Sequence, residues 1–241
     1  MKRSLPKRSQ WLLWIAGVMS FLAVWLYPVS TLQTRSTGLI LFSVLWISLI
    51  ALCWQPRTAR WCILALTILG IGFISLPDRR APDIDSLRAD YVAGMQRYMG
   101  ARYYWGGESP KGIDCSGLVR RGLVDALFLR GFCTLHPALV RDAFWLWWHD
   151  TTADGLGHAS GVFTVRLFDA PSINQLDHSK LEPGDLAVTQ GGAHVLAYLG
   201  EKHWIEAEPE AQRVINVTSP RQDQVWFTIP VHLVRWKILS P

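Results

Sequence analysis

The first 77 residues of this 241-residue chain contain no aspartate and no glutamate, yet they hold seven lysines and arginines. The remainder carries 17 basic and 19 acidic side chains, so the net charge of +5 is an N-terminal excess joined to a slightly acidic body. A nucleic-acid binder needs its basic residues clustered on a soluble face. Here they flank apolar segments, which argues against a nucleic-acid partner and for a membrane. Cysteine is also scarce, with residues 53, 62, 115 and 133 the only four. No paired Cys or His stands at metal-ligand spacing, so neither a zinc site nor any other cofactor is expected. The chain shows no internal repeat and no low-complexity tract.

What the N-terminal third does have is three uncharged apolar runs, roughly 11–30, 38–54 and 61–77. A spanning helix needs about 17–25 apolar residues, so three transmembrane helices are expected. A secretory signal would end in a small-residue cleavage site. No clear site occurs, and two further runs follow the first. Lys2, Arg3, Lys7 and Arg8 precede the first run, and Arg57 and Arg60 lie between the second and third, against Arg35 alone between the first and second. The positive-inside rule then keeps the N-terminus in the cytoplasm and puts residues from about 78 onward outside it. Trp11, Trp14, Trp25, Trp54 and Trp61 sit near run ends, as an interfacial aromatic belt requires. With no charged or strongly polar residue inside the runs, nothing marks an ion or substrate path. The expected division is a membrane anchor over 1–77, a linker over 78–86 and one catalytic-sized domain over 87–241, with the lipid bilayer as a partner.

The domain reads as helices followed by strands. Leu87, Tyr91, Met95 and Tyr98 have helical spacing, with Asp85 or Ser86 able to cap that helix. "ARYYWGGESPKGID" is a loop by its Gly and Pro signals. Val119, Leu123, Ala126 and Leu127 define a helix that begins at or beside Cys115. "GDLAVTQ", "AHVLAYLG", "HWIEAEP", "RVINVT" and "VWFTIPVHLVRWKIL" read as short strands, so the fold class is α+β with an antiparallel sheet. Residues 131–180 fit poorly. Their aromatic cluster Phe144, Trp145, Trp147 and Trp148 forms either a packed helix or the rim of a substrate groove.

Cys115 raises the chemical question. At a helix N-terminus the unpaired amides favour a thiolate. A useful nucleophile also needs a base, usually His, and a third group to hold the imidazole. Of seven histidines, His194 is the best placed, at the start of a strand beside the turn "QGGA". A disulfide to Cys133 is excluded by distance, since about 16 helical residues separate the two by more than 20 Å, and Cys133 is expected to be a buried free thiol.

"RYYWGG", "GIDCSGLV", "PGDLAV" and "AHVLAYLGEKHWIEA" occur in the order and rough spacing found in the NlpC-type cell-wall cysteine peptidases, and over roughly 87–215 the chain resembles that family. The resemblance implies a papain-like α+β domain with Cys115 as nucleophile, His194 as base and Tyr103 lining the site. It also implies that Asp114 and Ser116 flank the nucleophile in the substrate-binding and oxyanion region. The third polar residue falls at Glu206, where the family usually has His, Asn, Gln or Asp. In a regular strand Glu206 shares a face with Trp204 and Glu208, so it is preferred over His203 as the group that orients His194. The substrate implied is a peptidoglycan stem peptide, typically cut at a γ-D-glutamyl–diamino acid bond. The location implied is the bacterial cytoplasmic membrane with the domain on its outer side. A thiol acyltransferase or amidase acting on a lipid-linked substrate, and a catalytically relaxed wall-binding protein, are the rival readings. A protein regulator is left open.

Overall fold

The computed structural model describes residues 7–159 and 161–240. Three long helices come first: α1 (Lys7–Trp25), α2 (Leu32–Leu52) and α3 (Arg57–Ser75). Among the described residues, α2 and α3 are the two helices long and apolar enough to cross a membrane. α2 starts earlier than the apolar run suggests. Thr31 and Thr34 form a reciprocal capping box, which satisfies two backbone donors and extends the helix N-terminally through polar residues. Arg35 therefore lies inside α2 and is buried, not in an open loop.

The next helix is α4 (Ile84–Gln96). Its cap is Asp83, whose side chain accepts from the Ser86 amide at 3.2 Å, two residues before the nearer expected cap, Asp85. A two-stranded ribbon, β1 (Glu108–Ser109) with β2 (Gly112–Ile113), leads into α5 (Cys115–Cys133). α6 (Pro137–Trp148), the short α7 (Ala153–Gly157) and β3 (Thr164–Ala170) occupy the stretch that the sequence pattern left ambiguous. The rest is sheet: β4 (Leu186–Thr189), β5 (Val195–Gly200), β6 (His203–Glu208), β7 (Arg213–Thr218) and β8 (Val231–Trp236). The spatial order is β3-β8-β4-β5-β6-β7, with every neighbour antiparallel. The α+β class expected from the sequence is the class observed.

Helix α5 lies over the sheet. Leu118, Val119, Leu123, Ala126 and Leu127 meet Val195, Ala197, Ile205 and Ala207 from β5 and β6 in one buried cluster. Full burial of each large aliphatic side chain contributes about 1.5–3 kcal/mol, so this face fixes α5 over the two strands that carry the candidate base and its partner. The opposite sheet face packs Leu196, Trp204, Leu233 and Phe227 into a second cluster. Asp185, in "PGDLAV", is fully buried and accepts from Arg235 Nε at 2.7 Å and from a terminal guanidinium nitrogen at 2.8 Å. That bidentate pair joins the entry of β4 to β8 and gives the motif a structural role.

All four cysteines are free. Cys133 is exposed, not buried; it is the last residue of α5, beyond the part that packs on the sheet. Of the aromatic cluster, Phe144 packs edge-on against Phe128 with centroids 4.9 Å apart, and Trp147 lies against Trp25 of α1 at 6.4 Å. This is a packed helix, and part of what it packs against is the N-terminal helical region.

Candidate active site

Cys115 is the first residue of α5, and Asp114 is its cap. The Asp114 carboxylate accepts from the Gly117 amide at 2.6 Å, the Ser116 hydroxyl at 3.0 Å and the Gly106 amide at 2.8 Å. Burial pushes the Asp114 carboxyl up, against the pull of these three donors. Asp114 and Ser116 border the cleft at Cys115, but their side chains are engaged with each other and with the loop. Their geometry serves to hold the start of α5 in place.

The close approach of loop and helix depends on glycine at 117. A Cβ there would run into the Gly107 carbonyl, and backbone cannot move aside as a flexible side chain does. Gly117→Ala is expected to displace the first turn of α5 and to cost about 1–3 kcal/mol. The denaturation midpoint and the alkylation rate of Cys115 would measure both effects, and an unchanged alkylation rate would show that the turn tolerates the methyl.

His194 sits immediately before β5. Its amide donates to Thr189 Oγ1 at 2.9 Å, and its carbonyl accepts from the Thr189 amide at 3.0 Å. These bonds close the β4–β5 hairpin around Gly191 and Gly192, both at positive φ. A Cβ on Gly192 would also strike Asp154 of α7, so this turn requires glycine twice over.

The imidazole is 1% exposed and Glu206 is fully buried. His194 Nε2 donates to Glu206 Oε2 at 2.6 Å, and the ring lies near enough to Cys115 for the sulfur to act on its titration. With Nε2 engaged by the carboxylate, Nδ1 is the nitrogen left for sulfur. Glu206 Oε1 accepts from Gln224 Nε2. Trp226 stacks on the imidazole with centroids 4.4 Å apart and planes 20° apart, while its indole N–H donates to Glu208 Oε1 at 3.1 Å. His203, the rival orienter, instead pairs through Nδ1 with the Thr218 hydroxyl at 3.0 Å.

Burial alone would push the His194 pKa down. Bonding and charge from Cys115 and Glu206 outweigh that and raise it to about 9. Burial pushes the Glu206 carboxyl up, opposed by His194 and Gln224. The direction that decides the chemistry is that of His194, because its ring is in contact with two groups that favour imidazolium. Tyr103 is half-buried, and desolvation first, then the nearby Cys115, Asp114 and Glu208, raise its hydroxyl to about 12. It stays protonated and available as a donor.

The sequence thus brings Cys115, His194 and Glu206 together, with Tyr103 close by. Residues 100–129, which run from the loop through Cys115 into α5, match the NlpC/P60 family. Over that stretch the chain is similar to the NlpC/P60 family. A dipeptidyl-peptidase 6 from Lysinibacillus sphaericus is 28% identical over 134 residues, covering 56% of this chain and 37% of that protein. The chain therefore spans well under half the length of that relative. The P60 domain of an antigen from M. avium subspecies paratuberculosis matches at 20% identity and a TM-score of 0.41, covering 66% of this chain and 98% of that domain. The peptidoglycan hydrolase RipB from Mycobacterium tuberculosis matches at 21% identity and a TM-score of 0.42, covering 69% and 76%.

Three features of this NlpC/P60-like site were missed by sequence reasoning. Gln224 and Trp226 lie in the connection between β7 and β8, and no periodic pattern marks them. The third is the connection between α1 and α2, whose Val29, Ser30 and Thr31 border the cleft at Cys115. Among the described residues no cluster of three or more His, Cys, Asp or Glu could hold a metal ion.

Proposed function

We propose that this protein is a membrane-anchored cysteine peptidase that hydrolyses amide bonds in peptidoglycan stem peptides. The observation that carries this reading is the buried His194–Glu206 hydrogen bond beside Cys115 at the start of α5. The NlpC/P60 match over the nucleophile's loop and helix supports a cell-wall peptidase. RipB, whose name states its activity, supports the same substrate class.

In the proposed mechanism the Cys115 thiolate attacks the amide carbonyl carbon, and the carbonyl π electrons move onto oxygen. In this mechanism the Cys115 backbone N–H, in the first turn of α5, and the Tyr103 hydroxyl stabilise that oxyanion. His194 Nδ1 donates its proton to the leaving nitrogen, the C–N bond breaks and an acyl-thioester remains. The neutral imidazole then takes a proton from water, which attacks the thioester and releases the acid and Cys115. Glu206 holds the ring with Nδ1 toward sulfur and stabilises its cationic form.

The raised His194 pKa sets an expected pH profile. Imidazolium persists through neutral pH and is lost as pH rises through about 9. kcat/KM should fall on the alkaline side near that value, and the stability contributed by the charged ring should fade over the same window, being fully present below the usual histidine pKa. Rate and thermal-midpoint profiles from pH 6 to 10 test both; a loss of rate already complete at pH 7 contradicts the assignment.

The anchor is proposed as three spans, with the domain on the outer side of the bacterial cytoplasmic membrane. α2 and α3 pass the length and hydropathy test, and α1 exposes Leu12, Leu13, Ile15, Met19 and Leu22. Apolar surface on this scale needs a cover, and lipid is the cover that helices of this length fit. The charge asymmetry supplies the orientation.

The direct test uses the full chain in detergent, incubated with purified peptidoglycan, and identifies released fragments by mass. Muropeptide products that disappear in Cys115→Ala establish the peptidase and name the bond. Absence of products from folded wild-type protein would overturn the assembled wall as the substrate and favour a lipid-linked one.

A further inference from the structure

The connection between α1 and α2, residues 26–31, does not hang free. The Ser30 amide donates to the Gly106 carbonyl at 3.1 Å, and the Glu108 amide donates to the Pro28 carbonyl at 3.1 Å. Val29 pairs antiparallel with Gly107 between them. The connection thus lies as an added strand along Gly106–Glu108, the same segment whose Gly107 carbonyl abuts Gly117 in the first turn of the Cys115 helix.

A buried ionic cluster fixes the junction. Arg35 of α2, 4% exposed, donates to Glu108 Oε2 at 2.8 Å and to Ser30 Oγ at 2.8 Å. Arg120 of α5 meets the other Glu108 oxygen at 3.1 Å and Asp150 at 2.5 Å. One carboxylate therefore bridges a guanidinium of the N-terminal helices to a guanidinium of the nucleophile's helix. At the far side, Arg141 of α6 donates to the Ile74 and Leu76 carbonyls at 2.7 and 2.8 Å, and Phe132 stacks on Phe73. The domain is docked on the C-terminal ends of α1 and α3 and the N-terminal end of α2. In an alternating three-helix anchor those are the same membrane side.

Between these elements lies a cleft of about 220 Å³. Val29, Ser30 and Thr31 line it together with Cys115 and with Ala193, the neighbour of His194. Such a volume is narrow for a drug-sized ligand but suits an extended peptide. The eight residues from Leu76 to Asp83 could span at most about 29 Å, and Arg80 ties them to the Leu135 carbonyl at 2.5 Å. The cleft is held at the level of the helix ends, and exposed Trp25, Tyr27 and Trp105 stand in that region, as side chains at a bilayer interface do.

We infer that the α1–α2 connection is a substrate-contacting wall of the Cys115 cleft, and that the peptide it admits is one presented at the bilayer surface on a lipid carrier. This deepens the peptidase reading and rests on it. The anchor is then part of the active site and selects substrate by position.

The test uses the full chain in phosphatidylethanolamine/phosphatidylglycerol nanodiscs with one stem peptide in two forms, water-soluble and attached to a lipid in the same disc. Wild type is expected to favour the lipid-attached form at least tenfold in kcat/KM. Val29→Trp is expected to raise KM at least tenfold for the soluble form, with the iodoacetamide alkylation rate of Cys115 unchanged. Val29→Ala, which leaves the docking intact, should shift KM two- to threefold and guards against misfolding of the larger variant. Unchanged KM in both variants, against a cleaving wild type, overturns the wall. Equal kcat/KM on the two forms overturns the lipid carrier. No cleavage of either form by wild type removes the peptidase reading and the inference with it.

Discussion

Cys115→Ala is expected to reduce peptide hydrolysis by about 10⁴-fold or more, the scale on which removal of a nucleophile collapses a coupled nucleophile–base unit. The loss should be chemical and not structural. Cys115 is 7% exposed and borders the cleft, so removing its sulfur opens space toward the cleft instead of leaving a sealed void in the core. The α5 face formed by Leu118, Val119 and Leu123 remains packed. A second, independent readout follows from the same substitution. His194 is raised to about 9 with Cys115 bonding and charge among the causes; with sulfur gone, Glu206 alone opposes the effect of burial, and the imidazole pKa must move down. Titration of the ring by NMR in wild type and Cys115→Ala measures this directly. An imidazole that titrates identically in both would mean that sulfur and ring are not coupled. A variant that retains hydrolysis would remove Cys115 from the mechanism altogether.

The parts of this site that could be read in the sequence are those in which local pattern and tertiary placement agree. Cys115 was legible because the apolar spacing of Val119, Leu123, Ala126 and Leu127 puts a helix start beside it, and the structure starts α5 there. Glu206 could be preferred over His203 because strand alternation separates their faces, and Glu206 is the residue that meets His194. Where local and tertiary demands diverge, the pattern misled. Asp114 and Ser116, expected as neighbours of a nucleophile, do border the cleft at Cys115, and three donors also engage the Asp114 carboxylate as a helix cap that the pattern did not announce. Cys133 reads as an apolar residue at the end of an apolar helix, but α5 has passed its packing partners by then and the thiol is exposed. Arg35 looks like a loop charge between two apolar runs. Its burial depends on Glu108, 73 residues away, and no local signal could supply that partner, although the Thr31–Thr34 capping box that sets the start of α2 was there to be read. Gln224 and Trp226 reach the site only because the segment after β7 folds back over Glu206 and His194.

Glu206→Gln tests the role of the third polar residue most sharply, because it removes charge while keeping shape. Gln224 donates its amide to one Glu206 oxygen, and His194 donates Nε2–H to the other. In the variant, if the new carbonyl keeps the Gln224 bond, the new NH₂ faces His194. The imidazole must then accept at Nε2 and carry its proton on Nδ1, toward Cys115. That tautomer cannot take the thiol proton, and a comparable carboxylate-to-amide change in the serine-protease triad costs about 10⁴-fold. Here Gln224 can rotate its own amide and restore an acceptor for His194, so the expected loss in kcat/KM is about 10²- to 10⁴-fold. Two further measurements separate tautomer from charge. Pairing Glu206→Gln with Gln224→Glu supplies a carboxylate acceptor for the new NH₂, frees the new carbonyl to face His194 and should recover part of the rate. Loss of the neighbouring negative charge should also move the alkaline limb of the rate profile below about 9, since Glu206 is one of the groups that raise His194. A Glu206→Gln enzyme within threefold of wild type, with its alkaline limb unmoved, would show that His194 is held by Trp226 stacking alone and that Glu206 is a buried structural acid.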